Sequence, residues 1–302
     1  MLWLILAILV ALAWAFGAFI DNYNTDVNFK GRLPQGQKVF GAIAYTITAI
    51  VIAIFWPIVP FEITPILLLI LSGVLSSIAS IPYYNALKSE NTTGATIFVQ
   101  LAPVMYLIAG WAFLGQEIQP LEILAFLVVL AAPIIVIAST GKRQKRLEFW
   151  AAGLLMIYLL FSVGSNVLFL EVMGENDFVT AFFWFMVGKA LTDIVLVSAF
   201  KKWRARFFSV LKARKGKFMT ALVVNQGIYT FAEVAYRIAL TLGPVAIVSV
   251  VANASMMIIT FVLGIILTLI WPNFGREKLT KRKILAHLVA TVLAVIGIVM
   301  LQ

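Results

Sequence analysis

The sequence has no cysteine and a single histidine, His287. The first absence excludes a disulfide framework, thiolate catalysis and cysteine-ligated metal. The second excludes a histidine cluster, so no metal or cofactor is expected. Charge is scarce as well: 12% of the 302 residues are Asp, Glu, Lys or Arg, while 63% are apolar. A soluble domain has about a quarter charged and about half apolar, so this chain belongs in lipid. Acid is the rarer sign, 13 Asp and Glu against 23 Lys and Arg, for a formal net charge of +10. An excess of that size fits nucleic acid only if it lines one face. Here the cations fall in short segments between apolar runs, so the expected partner is a lipid bilayer and not nucleic acid.

What the sequence does have is apolar runs of about 20 residues, each long enough to cross a hydrocarbon core of about 30 Å. They lie near 2 to 20, 38 to 57, 64 to 87, 93 to 114, 119 to 138, 149 to 171, 178 to 200, 218 to 242, 244 to 271 and 284 to 301. The first contains Ala11-Leu12-Ala13, which resembles a leader cleavage site, but no basic residue precedes it. It therefore reads as a retained helix. Cations follow the odd spans: Lys30, Arg32 and Lys38, then Lys88, then Lys142 to Arg146, then Lys201 to Lys217, then Arg276 to Lys283. The even connections have no Lys or Arg, and the one between spans 6 and 7 holds Glu171, Glu175 and Asp177. By the positive-inside rule the odd connections are cytoplasmic and both termini lie outside the cytoplasmic membrane. In the longest basic segment Trp203, Phe207, Val210 and Leu211 recur at helical spacing. That pattern predicts an amphipathic helix on the inner leaflet, with a polybasic site for a lipid or regulatory partner as the other reading.

The chain repeats itself. Residues 114 to 137 and 274 to 300 carry nearly the same pattern. A shift of 153 lays Tyr83-Tyr84-Asn85-Ala86-Leu87 on Tyr236-Arg237-Ile238-Ala239-Leu240 and Gln100 on Asn253. A shift of 147 lays Trp14 on Phe161 and Gly17 on Gly164, so each half opens with an aromatic-x-x-Gly helix whose glycine permits close backbone approach. Two copies of five spans, residues 1–140 and 141–302, have an odd number each, so the second enters the membrane inverted. The expected fold is an all-α polytopic membrane protein with ten transmembrane helices in two inverted five-helix repeats.

Four further marks stand in order along the chain: Trp14-Ala15-Phe16-Gly17, Ala86-Leu87-Lys88 followed by Thr92-Thr93-Gly94-Ala95, Pro103, and Leu114-Gly115-Gln116-Glu117. With the repeat, these resemble the drug/metabolite transporter superfamily in its ten-helix branch of two EamA-type domains, over the whole chain. The resemblance implies a central cavity lined by helices 1 to 4 and 6 to 9, alternating access between the halves, and helices 5 and 10 packed outside. Two features depart from the family. Many ten-helix members keep both termini in the cytoplasm, and four-helix relatives carry a coupling glutamate in their first helix, where this chain has Trp14.

Within the spans the ionisable residues are Glu122, Lys189, Asp193, Glu233, Arg237 and His287. Each charge at mid-membrane costs about 2.5 to 3.5 kcal/mol on insertion scales, so these groups are expected to face one another or a cavity. Lys189 and Asp193 share one helix face, as do Glu233 and Arg237, which are also four apart. Two readings follow: structural ion pairs locking helices 7 and 8, or a substrate site that exchanges one partner for substrate or proton. Gln226, Tyr229 and Tyr236 extend the second face, while Trp14, Tyr83 and Tyr84 offer walls and hydroxyls. Asn166, Gln100 and Asn253 offer neutral polar contacts, with hydrogen bonding between helices as the rival role. Glu233 and Asp193 are the candidate proton-coupling groups; Glu122 and His287 lie near helix ends.

A site with both signs of charge points to a secondary transporter moving a small organic metabolite, an amino acid or another zwitterionic or amphipathic compound, with proton coupling or exchange. An organic-cation exporter is the alternative. An enzyme acting on lipid is disfavoured, because no HExxH, Walker-type loop or histidine pair is present. Reporter fusions at both ends are expected to read extracytoplasmic; a cytoplasmic signal from both would show that the usual family orientation overrides the charge pattern.

Overall fold

A computed structural model of the chain describes residues 1–30, 32, 34–87, 99, 101–115, 119–139, 145–173, 177–270 and 281–300. Among them there is no strand. Helix α1 spans Leu2–Tyr23 and runs on through a π-helical turn, Asn24–Asn28, to a short 3-10 turn at Pro34–Gln37. Then come α2 (Lys38–Phe55), α3 (Ile63–Ala86), α4 (Ala102–Phe113), α5 (Pro120–Ser139) and α6 (Lys145–Met173). The chain continues with α7 (Phe178–Ala199), α8 (Lys201–Leu242), α9 (Val245–Ile270) and α10 (Lys281–Met300). Local chemistry marks several starts. Pro103 sits in the first turn of α4, where its missing N–H costs nothing, and Asp177 caps α7 by accepting from the Thr180 N–H at 2.7 Å.

The packing is that of a membrane protein. Large apolar side chains such as Ile8, Leu12, Ile47, Ile54, Leu127, Leu160 and Val195 point outward, while Asp21, Lys38, Lys189, Asp193 and Arg237 are buried. Among the described residues, six helical stretches are long and apolar enough to cross a bilayer: Leu2–Asn28, Pro34–Phe55, Ile63–Ala86, Trp150–Met173, Phe178–Ala199 and Val245–Ile270. The other spans expected from the sequence fall on α4, which is 12 residues long, on α5 and α10, and on α8, whose second half carries a polar stripe that lowers its hydropathy.

Contacts run mainly between the two halves of the chain. Helix α1 packs along α8 and α9, α2 along α7, α3 along α6 and α7, α4 against α9 and α6, and α5 against α10. Alanines form much of the seam among α1, α4, α8 and α9, including Ala7, Ala102, Ala232, Ala239 and Ala252, because close approach is what binds helices in lipid.

The closest approach is not where the aromatic-x-x-Gly repeat put it. A Cβ on Gly17 would lie 2.8 Å from the Tyr229 ring, so this glycine makes room for a side chain; one on Gly164 would meet only Leu75, at 3.7 Å. Backbone meets backbone instead at Gly73 of α3 and Gly188 of α7. A Cβ on Gly73 would overlap the Phe185 carbonyl oxygen and lie 2.8 Å from the Lys189 nitrogen, and one on Gly188 would overlap the Ile70 carbonyl oxygen.

The amphipathic segment also differs from expectation. Trp203, Phe207 and Val210 are buried, but within the protein rather than in lipid: Trp203 stacks on Phe200 at 4.6 Å, and Phe207 and Val210 pack with Phe29 and Val39. Arg206 ties the two together by donating to the carbonyl oxygens of Phe29 and, at 3.3 Å, Arg32; Arg204 caps the end of α7 through Val197 O at 2.8 Å and Ser198 O at 2.9 Å.

Replacing Gly188 or Gly73 by Ala is expected to destabilise by about 1–3 kcal/mol or more, since the obstructing atoms are backbone. Gly153→Ala and Gly227→Ala, where nothing lies within 4 Å, serve as controls. Thermal unfolding of the purified protein reads the difference, and equal midpoints for all four variants would remove the crossing as a packing constraint.

Candidate functional site

The helices leave a cavity of about 210 Å³ between the halves, lined from α1, α2, α3, α4, α6, α7, α8 and α9. Eleven of the thirteen residues singled out from the sequence line it. They are Trp14 on α1, Tyr83 and Tyr84 on α3, Asn166 on α6 and Lys189 on α7, with Gln226, Tyr229, Glu233, Tyr236 and Arg237 on α8 and Asn253 on α9. Asp193 stands behind the wall, and Gln100 lies outside the described residues, as do the side chains of Glu122 and His287.

The charges pair across helices. Lys189 does not pair with Asp193, four residues away on its own helix; it reaches α8 and binds Glu233 Oε2. Glu233 Oε1 takes Arg237 Nη1 at 3.3 Å and the Ser76 hydroxyl at 3.3 Å, so one carboxylate joins α3, α7 and α8. The two cations also lie on aromatic faces, Lys189 Nζ 4.3 Å from the Tyr45 ring centre and the Arg237 guanidinium 3.8 Å from that of Phe185. Such placement offsets part of the loss of hydration.

Asp193 is taken by Lys38, at 2.7 Å. Ser77 closes the group: Lys38 Nζ donates to its carbonyl oxygen at 2.6 Å and to its hydroxyl oxygen at 2.7 Å, and the hydroxyl donates to Asp193 Oδ1. Lys38 is 4% exposed and so is not one of the cations at the membrane surface, where the charge pattern had placed it. Gly41, one turn along α2, leaves the space that Asp193 Oδ2 enters.

A third carboxylate was missed. Asp21, at the end of α1, is 1% exposed and lines the cavity. Asn225 Nδ2 donates to its Oδ1 at 2.8 Å and the Tyr229 hydroxyl to its Oδ2 at 2.7 Å. Asp21 and Lys38 escaped notice because each stands at the border of an apolar run. Tyr158, Ser162 and Asn166, spaced four apart on α6, are a polar stripe that the spacing alone reveals, and all three line the cavity.

The asparagines serve packing first. Asn166 Nδ2 bonds Ser162 O at 3.1 Å within its helix and Tyr106 OH at 2.6 Å across to α4, and Asn253 Nδ2 bonds Ser249 O at 2.8 Å. Trp14 meets Tyr236 edge to face at 4.8 Å, which joins α1 to α8 along the wall.

No family model matches the sequence, and no curated protein does either. The fold does have solved counterparts. One protein known by its crystal structure aligns over 97% of both chains with a TM-score of 0.63 at 16% identity. At that identity the likeness concerns the fold alone.

Removing one member of the Lys38–Asp193 pair leaves a buried charge unanswered, which costs roughly 3–5 kcal/mol, whereas replacing both by apolar residues is often neutral. Lys38→Met and Asp193→Leu are each expected to lower the unfolding midpoint sharply and the double variant to recover most of the loss. Additive losses would show that the pair does not hold α2 to α7.

Proposed function

We propose that this chain is a secondary transporter that moves a small organic solute bearing charges of both signs, and that it belongs with the ten-helix EamA-type drug/metabolite transporters that its motifs resemble. The observation carrying this reading is the cavity between the two halves, whose lining gathers most of the charge buried in the described helices. An ion pair serving structure alone has no need of a cavity beside it. Intramembrane ionisable groups that face such a space mark a solute pathway by default.

The pairing of helices supports the repeat. Exchanging α1–α5 for α6–α10 turns the α1·α8 contact into α6·α3 and α1·α9 into α6·α4, and returns α2·α7, α4·α9 and α5·α10 to themselves, all of which occur. The repeat-related residues Tyr83, Tyr84, Tyr236 and Arg237 line the same cavity. That arrangement suits two inverted units rocking about a site between them. Coupling is then by exchange, or by a proton at Glu233 or Asp193 in a state of the cycle that draws Lys189 and Arg237, or Lys38, away.

The reading is tested by flux in reconstituted vesicles. Lys189→Met is expected to lose most uptake while the protein still folds; unchanged kinetics would take Lys189 off the pathway, and loss of folded protein alone would leave it a structural role. In the same vesicles, an imposed pH gradient should drive accumulation in the parent and not in the coupling variant, Glu233→Gln or Asp193→Asn, with exchange retained. A parent that ignores the gradient leaves exchange or facilitated diffusion as the mechanism.

A further inference from the structure

The cavity's charges are sorted rather than mixed. Lys38 and Asp193 cancel. Glu233 is shared by Lys189 and Arg237, so that group keeps one positive charge in surplus. Asp21 is bonded by an amide and a phenol, neither charged, and among the described residues no cation lies within ion-pair distance of it. One end of the cavity is therefore negative by one charge and the other positive by one.

The distance between these ends can be read along α8. Tyr229 holds Asp21, and Arg237 lies eight residues further on, roughly 12 Å at the helical rise. Helix α1 runs beside it in the opposite sense, since Trp14, which precedes Asp21 by two turns, meets Tyr236. Trp14, Tyr45 and Tyr158 form the wall in between. At the positive end the Arg237 fork is half used: Nη1 is on Glu233, while Nε is buried with no acceptor. A second carboxylate completes such a fork.

From this sorting we infer that the solute is an extended zwitterion, its ammonium group held at Asp21 among Tyr83 and Tyr229 and its carboxylate at Lys189 and Arg237. The inference rests on the reading of the cavity as a solute site and names the class of solute. Opposite charges kept apart in a medium of low dielectric are costly, and a ligand that answers both ends relieves the cost at once. A ligand with one charge answers one end only. An α-amino acid, whose charges are adjacent, does no better. Allowing about 3 Å for the hydrogen bond at each end leaves roughly 6 Å or a little more between the ligand's own charges. At about 1.2 Å per bond in an extended chain, that is about five to seven bonds, the span of a ω-amino acid of middle length or of a short peptide.

The test is thermal stabilisation of the purified full-length protein, because a ligand that binds the native state raises its unfolding midpoint with concentration. The probes are glycine, γ-aminobutyrate, ε-aminocaproate and ω-aminooctanoate, with hexylamine and hexanoate as single-charge controls. Affinity is expected to rise from glycine to a maximum at ε-aminocaproate and to fall at ω-aminooctanoate, with each single-charge control weaker by about tenfold or more. Asp21→Asn is expected to reduce ε-aminocaproate to the level of hexanoate and leave hexanoate unchanged; if that variant does not fold, the ranking of probes on the unaltered protein decides. Glycine or hexylamine matching ε-aminocaproate overturns the inference, as does the absence of any shift. Binding in the expected order without flux in vesicles would instead overturn transport and leave the assignment of the site standing.

Discussion

A charge inside an apolar surround must be answered, by an opposite charge or by hydrogen bonds, and the interior of this protein is organised around that demand. Lys38 and Asp193 join α2 to α7, and Glu233 draws Lys189 and Arg237 together across α7 and α8. Neither group could persist with one member alone, since an unpaired buried charge costs several kcal/mol. The helices bearing them are therefore fixed in rotation about their own axes, and the rest of the lining is placed by that choice. Tyr45 lies under Lys189, and Phe185 and Phe169 under Arg237.

Around this polar interior the packing follows the rules of lipid rather than of water. Apolar burial cannot draw two helices together when the surroundings are equally apolar, so contact depends on close fit. Alanines line the seam of α1 with α8 and α9, and the crossing of α3 with α7 is bare at Gly73 and Gly188. Larger side chains pack inside in two clusters, Phe169, Phe182 and Phe185 on α6 and α7, and Phe207 and Phe218 of α8 with Phe29.

Long apolar runs made the helices legible in the sequence, and rare charges within those runs made Lys189, Glu233 and Arg237 legible as interior groups. The Glu233–Arg237 pair was legible with them, but the partners of Lys189 and Asp193 were not. The four-residue spacing of Lys189 and Asp193 places them on one face, but a residue on a neighbouring helix can be nearer than one a turn away, and Lys38 is nearer to Asp193. Asp21 and Lys38 sit where hydropathy falls off, and there a buried group and a surface group look the same. The stripe from Phe207 to Leu211 shows the opposite limit: periodicity reveals that a face is apolar but not whether lipid or protein covers it, and here Phe29 and Val39 do.

The crossing at Gly73 and Gly188 has a mechanical consequence. Where side chains interlock, one helix moves along another only by changing rotamers in step, and that gives the contact discrete seats. Two bare stretches of backbone have no teeth to disengage, so their contact works as a smooth bearing. Lys189 follows Gly188 directly and Ser76 is three residues beyond Gly73, both on the cavity wall and both bonded to Glu233. A tilt of α3 on α7 would therefore pivot next to the bonds that Ser76 and Lys189 make to Glu233, and this part of the cavity wall would feel it first.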